Sequence, residues 1–410
     1  MLKQVSVSQK SLDDYRPIVG EGKIEEIRSL AEPLKGARVV HINATAFGGG
    51  VVEIFHTLIP LMRDVGLDAE WQVIEGSDEF FNVTKTMHNA LHGADIDITP
   101  EMQDIYLRHN EANAKSFEGD YDFVLAHDPQ PAALLHYHGR SGGKHWLWRC
   151  HIDTSTPNEA AWKFIRPYLE SYDVRIFHKP EYAGDLALSP MAVIPPSIDP
   201  LSSKNIPMPL DESRAIMARF GIDVDRPLLT QVSRFDPWKD PLGVIDAYRM
   251  VKEQVPEVQL TLIASMASDD PEGWIFYDRI VRHAGEDFDI HVLHNFHGVG
   301  NVEVNAFQSG SDVIIQKSIR EGFGLVVSEA MWKGKPVIGG NVGGIPLQII
   351  DKQNGFLVDS VEECAEVALS LLQKPEAAQE MGAKAREYVR ENFLSTRHLK
   401  DYLKLFLSLA

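Results

Sequence analysis

Two cysteines, Cys150 and Cys364, are all that 410 residues contain. That excludes a disulfide framework, and a reducing compartment, the cytoplasm, is expected. No apolar run reaches 18 residues, so no membrane-spanning helix is expected. The first twenty residues, MLKQVSVSQKSLDDYRPIVG, hold no apolar core of the signal-peptide kind. A basic amphipathic surface helix of the membrane-docking kind is missing too. Basic residues are the minority: 40 Lys and Arg against 59 Asp and Glu leave a formal charge of −19. This balance excludes a general nucleic-acid surface, which needs clustered cations to replace phosphate counterions. One phosphate group is still compatible with it, provided the site is built locally from a few basic side chains or helix N-termini. Four histidines, His127, His136, His138 and His145, fall at irregular spacing with no thiolate pair beside them, so no structural zinc site and no protein-held metal is expected.

What is present is a globular composition, 44% apolar and 24% charged, in a chain too long for one ordinary hydrophobic core. Short β-branched runs alternate with helical text throughout. ARVVHI leads through NATAFGGG into a helix beginning at VVEIF. YDFVLAH and HWLWRCHID are strands of the same half, and PLLTQVS, QLTLIAS, DIHVLHN, DVIIQKS, KPVIGGN and GFLVD are strands of the second. Strands that alternate with helices imply βαβ units and a parallel sheet in each half. The expected organisation is an α/β chain of two Rossmann-like, doubly wound domains, residues 1–205 and 206–393, the polar, proline-rich segment around 196–214 linking them. A C-terminal helix over about 394–410 has the option of packing back on the first domain. Ligands of such sheets bind outside the carboxyl ends of the strands, so the motifs that matter are those following strands.

Five stretches qualify. FGGGVVEIF, Phe47–Phe55, puts Gly49 and Gly50 between a strand and a helix. Either it is a tight turn, or it closes over a phosphate or sugar through free backbone N–H groups. QVSRFDPWKDP places Arg234 and Lys239 five apart on a proline-stiffened loop. They are two cations for a diphosphate, or surface partners of Asp236 and Asp240. SIREGFGLVVSEA, Ser318–Ala330, carries Glu321 in a glycine loop and Glu329 in the following helix. The N–H groups of Gly324 and Leu325 suit a phosphate, Glu321 suits sugar hydroxyls and Glu329 a vicinal diol such as ribose. LAHDPQP sets His127 at one strand end, and WRCHIDTSTPN sets His151 and Asp153 at another.

Taken together, SRFDPWKD, REGFGLVVSEAMWKGKPVIGG and GGIPLQIIDKQNGFLV resemble the retaining GT-B glycosyltransferases of family 4, the glycogen-synthase and sucrose-synthase-like class. TAFGGGVVE, WRCHIDTSTPN and QKSIREGFG are similar to the branch of that class holding trehalose glycosyltransferring synthases and trehalose phosphorylases. Many relatives carry Pro-Ser ahead of the glutamate loop, where this chain has Gln316-Lys317-Ser318. The resemblance implies a GT-B fold, two domains facing a central cleft, and transfer of glucose from an ADP-, UDP- or GDP-glucose donor to free glucose, giving α,α-trehalose with retention. Glu321, Arg234, Lys239 and His127 would carry the chemistry. Gly49, Gly50, Phe323, Gly324, Leu325 and Glu329 would hold the donor, and His151 and Asp153 the acceptor. The fold requires no cofactor, with Mg2+ an optional accessory ion on the diphosphate. A homodimer is compatible, and neither nucleic acid nor membrane is an expected partner. The open alternatives are a trehalose phosphorylase, a GT-B transferase with another acceptor, and a nucleotide-sugar-binding regulator.

Overall fold

The protein is described here by a computed structural model covering residues 2–188, 190–266 and 271–410. Two units are distinct: Met1–Ser197 with Ser395–Ala410, and Ile198–Leu394. The chain therefore leaves the first unit and returns to it with its last helix.

Seven strands form the sheet of the first unit. They are β1 (Lys3–Gln4), β2 (Arg38–Asn43), β3 (Asp68–Val73), β4 (Tyr121–His127), β5 (Gly143–Arg149), β6 (Val174–Phe177) and β7 (Met191–Val193). Their order is β1-β3-β2-β4-β5-β6-β7, parallel except for the edge pair of β1 with β3. β2 and β4 are buried almost end to end, the pattern of strands covered on both faces by helices. The last helix, Ser395–Leu409, buries Leu399, Tyr402, Leu403 and Phe406, a stripe at three- and four-residue spacing. Phe406 stacks on Phe123 of β4 with ring centroids 4.2 Å apart. Arg397 anchors the helix start by donating to the carbonyls of Pro195 at 2.8 Å and Pro196 at 2.7 Å.

The second unit has a six-stranded, all-parallel sheet: β8 (Leu228–Val232), β9 (Gln259–Ala264), β10 (Ile290–His294), β11 (Val313–Gln316), β12 (Val337–Gly340) and β13 (Phe356–Val358). Its order, β10-β9-β8-β11-β12-β13, reverses direction between β8 and β11. The first sheet reverses between β2 and β4 in the same way. At such a reversal the loops leaving two adjacent strands part to opposite faces and open a crevice, where ligands of doubly wound sheets bind. The sequence places the QVSRFDPWKDP loop after β8, the REGFG loop after β11, the glycine loop after β2 and His127 at the end of β4. All four lie at the two reversals. The two parallel α/β sheets agree with the expected GT-B class.

Candidate active site

In the second unit, the loop after β8 turns through a short 3-10 turn, Pro237–Lys239. Asp236 caps it by accepting from the Trp238 N–H at 2.7 Å. The same carboxylate accepts from the Arg234 guanidinium at 2.9 Å. Arg234 stands 71% exposed, so the surface-pair arrangement holds for it. Lys239 goes elsewhere. Its ammonium donates to Glu321 Oε2 at 2.6 Å, with both side chains almost fully covered. Asp240, in left-handed backbone at φ 49°, caps the helix Pro241–Lys252 through Gly243 and is ion-paired to Lys317 rather than to Lys239. The Ile319 N–H reaches the Trp238 carbonyl at 2.9 Å, so the cationic loop and the glutamate loop are stitched by backbone as well as by charge.

Glu321 also accepts from Ser318 Oγ at 3.3 Å. Burial pushes its carboxyl up, but the charge and hydrogen bond of Lys239, helped by Ser318 and Arg234, outweigh that and hold it below the ordinary carboxylate value. Gly324, at φ 81°, is the cap residue from which the helix Leu325–Trp332 starts. Left-handed backbone of this kind is natural for glycine and costs any side-chain-bearing residue strain. The buried Gln348 donates to the Phe323 carbonyl at 2.6 Å, which fixes the turn, and Phe323 packs on Phe393. The second glycine pair, after β12, lies directly on this loop. A Cβ added at Gly343 would fall 1.7 Å from the Glu321 carbonyl oxygen.

Glu329 is one turn into that helix and 1% exposed. It accepts from Lys204 at 3.2 Å and from Gln308 at 3.4 Å. Lys333, one turn further on, donates to the Glu329 backbone carbonyl at 3.2 Å and to Asn205 Oδ1 at 3.0 Å. Desolvation pulls the Lys333 ammonium down to about 7, against the pull of Glu329 in the other direction. The two glutamates that the sequence sets eight apart thus each end on a lysine brought from a different segment.

In the first unit, Gly48 and Gly49 take φ of 71° and 77° where the helix Gly49–Asp64 begins, and added Cβ atoms there would meet nothing within 4 Å. Torsion, not crowding, selects glycine at this loop. Gly50 continues the first turn, and Phe47 beside it is 83% exposed. His127 ends β4 as the motif implied, yet both its ring nitrogens are occupied: Nε2 lies 2.9 Å from His41 Nδ1 and Nδ1 lies 2.9 Å from His151 Nε2. His151, half-buried, stands at the outer end of this row, with its Nδ1 not engaged by His127. Its backbone N–H donates to Asp128 Oδ1 at 2.7 Å. Asp128 adopts φ 65°, and burial lifts its carboxyl to about 7 in spite of that hydrogen bond and nearby Arg149. Asp153 is buried and turned to its own loop, where Oδ1 accepts from the Ser155 N–H at 2.9 Å and its hydroxyl at 2.5 Å. Among the described residues no group of three or more His, Cys, Asp or Glu side chains is arranged to hold a metal ion.

With this geometry established, the family can be assigned by comparison. A family model described as "Trehalose synthase, N-terminal domain" matches residues 41–184, and one described as "Glycosyl transferases group 1" matches residues 212–388. The chain is 53% identical over 412 residues to a trehalose synthase of Pyrococcus horikoshii, covering 100% of this chain and 99% of that one. The chain belongs to the trehalose synthase family of glycosyltransferases. A trehalose synthase of Rubrobacter xylanophilus is similar at 52% over 414 residues, covering 100% of this chain and 99% of its own. Identity to a trehalose phosphorylase of Pleurotus pulmonarius is lower, 28% over 395 residues and 54% of that protein's length. For the fold, an α,α-trehalose-phosphate synthase (UDP-forming) from Burkholderia xenovorans superposes with a TM-score of 0.73 at 15% identity, over 91% of this chain and 100% of its own.

Membership of the trehalose synthase family bears out the class resemblance carried by the glutamate loop. Several residues of this geometry escaped the motifs. Asp128 was adjacent to a named histidine, and its position before Pro129 at a strand end was a usable signal. Lys317 was visible as the departure from Pro-Ser. His41, Lys204 and Gln308 gave no local signal, because only the folded chain brings them to His127 and Glu329.

Proposed function

We propose that the chain transfers glucose, with retention of anomeric configuration, from a nucleoside diphosphate glucose to free glucose, giving α,α-trehalose, and that the reaction runs reversibly. The observation that carries this is the Lys239–Glu321 pair, buried at the strand-order reversal of the second sheet and flanked by the Gly324–Leu325 helix start. Family membership supplies the substrate class. The barrier is heterolysis of the anomeric bond to the diphosphate, and stabilisation of the departing negative charge lowers it. Arg234, Lys239 and the N–H groups of Gly324 and Leu325 serve that charge, with Gly49 and Gly50 closing over the diphosphate. Glu321 takes hydroxyls of the transferred glucose, and Glu329 takes the ribose once Lys204 yields it. His127 acts at the sugar through His151, and His151 and Asp153 serve the acceptor.

Glu321 is tied into an ion pair and so is poorly suited to the covalent route of retaining hydrolases. A front-face path, in which a departing phosphate oxygen takes the proton of the acceptor hydroxyl, fits this site better. A Mg2+ ion, where used, is an accessory on the diphosphate. A cytoplasmic setting fits the two buried, unpaired cysteines, and no described helix is long and apolar enough to cross a membrane.

The test is incubation with ADP-, UDP- or GDP-glucose plus free glucose, with products resolved by chromatography. Trehalose from at least one donor is expected, and no disaccharide from any of them overturns the reading. A parallel reaction of trehalose with inorganic phosphate and no nucleotide is expected to stay silent; glucose phosphate formed there would favour phosphorolysis instead.

A further inference from the structure

We infer that His41 is a positioning residue: acting through His127, it fixes which ring nitrogen of His151 carries the proton, leaving His151 an N–H at Nδ1 to donate to a sugar hydroxyl. The sugar contact rests on the function proposed above, whereas the proton order rests on the geometry alone.

The geometry follows from strand register. His41 of β2 pairs with Leu125 of β4, so His127, two residues on, shares its face. His127 pairs in turn with Arg149 of β5, and His151 lies two residues beyond Arg149. Three imidazoles therefore stand in a row, with N···N separations of 2.9 Å at both links and ring planes inclined by 26° and 20°. The row is dry. His41 and His127 are buried, with Phe55 from the helix Gly49–Asp64 edge-on to both and Tyr402 of the last helix edge-on to His41. Arg149, fully buried, donates to the Ile194 carbonyl at 2.5 Å and leaves Nε and Nη1 without a partner among the described residues. Arg397 with its partner Asp401, His398, His178, Asp128 and Cys150 are further titratable groups around the row. Burial is the main cause that holds the histidines neutral, followed by Arg149 for His41 and His151 and by His41 and then Arg149 for His127, with His41 pushed down to about 3.

A neutral imidazole has one nitrogen that donates and one that accepts. Each N···N link then needs one of each, and orienting the first ring orients all three. His41 Nε2, at the inner end, is buried with no partner among the described residues. If the row ran outward-in, that atom would be an unpaired buried N–H; if inward-out, only an unpaired lone pair. Orphaned donors are the rarer and costlier of the two in protein interiors. The order is therefore His41 Nδ1–H to His127 Nε2, then His127 Nδ1–H to His151 Nε2, which leaves the proton of His151 on Nδ1. All three rings hold the tautomer that is minor in free histidine.

Neutron diffraction from the unliganded, deuterated protein reads this directly. Deuterium on Nδ1 of His41, His127 and His151 is expected; deuterium on Nε2 of His127 and His151 overturns the proposal. The kinetic arm uses His41→Leu, which cannot donate, and His41→Asn, whose amide N–H sits near the position of Nδ1. His41→Leu is expected to lose about tenfold in kcat/KM for the acceptor sugar, mainly through KM, and His41→Asn to recover most of it. Equal losses in both variants, or none in His41→Leu, count against the positioning role. Should the wild type form no trehalose, the proposed reaction falls, while the diffraction result still decides the proton order.

Discussion

Lys239 and Glu321 each bring a charge into a nearly covered site, and each makes the other tolerable there. Removing one leaves the other buried without a counter-charge, which costs about 3–5 kcal/mol in fully buried pairs and less here, where a tenth of each side chain is still exposed. Glu321→Gln is thus expected to lower stability by roughly 2 kcal/mol in urea unfolding. The double variant Glu321→Gln, Lys239→Met should regain most of that loss. Both should lose about a hundredfold or more in kcat, the single variant because the hold of Glu321 on the transferred glucose goes, the double variant because charge stabilisation at the leaving group goes as well; retained turnover in the double variant would refute the assignment. The pH dependence has a definite sign. The lowered folded pKa of Glu321 means its contribution is present above the ordinary carboxylate range and is lost as pH falls through the folded value. Lys333 gives a slope of the same sign, but through a charge that destabilises the fold instead of supporting it. Its folded pKa, about 7, lies below the unfolded value of 10.5, so between those values the unfolded chain binds more protons and stability rises with pH. Lys333→Met removes the buried ammonium but keeps its stem. The variant should gain thermal stability over the wild type at pH 6, and that gain should fade towards pH 10. A pH-independent difference would mean that desolvation of this lysine does not matter.

Two glycine loops show how elements are fitted to one another. At Gly48 the backbone is left-handed but the surrounding space is open, so Gly48→Ala should cost about 1–2 kcal/mol from torsion alone. At Gly343 the backbone is again left-handed, φ 58°, and an added Cβ would collide with the Glu321 carbonyl, a backbone atom that cannot swing aside. Gly343→Ala should cost clearly more, about 3–4 kcal/mol, and displace the glutamate loop so that donor KM rises. Equal unfolding free energies for the two variants would remove the close-packing argument. The contrast also marks what the sequence discloses. The strand–loop–helix order of DVIIQKSIREGFGLVVSEA, the helix break near Phe393–Ser395 and the strand-end histidines are local, written in apolar spacing and glycine placement. The row from His41 through His127 to His151 is not local, because it depends on the register of β2, β4 and β5. Lys204 comes from a polar segment that reads as linker, and its place on Glu329 is set by tertiary packing. The β1 edge strand, two exposed residues long, carries no apolar pattern at all.

On the scale of the whole molecule, a net charge of −19 meets a proposed donor that is itself a dianion. Long-range attraction could be restored only by a local excess of cations, and the second unit provides little. Lys239 is matched by Glu321, Lys317 by Asp240, Lys204 by Glu329 and Arg234 by Asp236. Lys333, with a pKa of about 7, is only partly charged at neutral pH. With these four cations matched and Arg320, over the Trp238 ring, beside them, the local positive excess is small, so at low salt the approaching nucleotide experiences mainly the acidic remainder of the molecule. Raising ionic strength from about 0.01 to 0.1 M shortens the screening length from roughly 30 to 10 Å. That removes repulsion from distant carboxylates sooner than it weakens contacts within 3–4 Å of the diphosphate. Affinity for a nucleoside diphosphate should therefore rise with salt over this range, then fall towards 1 M, where the screening length is about 3 Å and the contacts themselves are screened. Titration calorimetry of the nucleoside diphosphate across that range, with potassium chloride as the salt, measures it. Affinity that falls steadily from the lowest salt would mean that the local cations dominate the field and that the pairing of each site lysine with a carboxylate does not persist in solution.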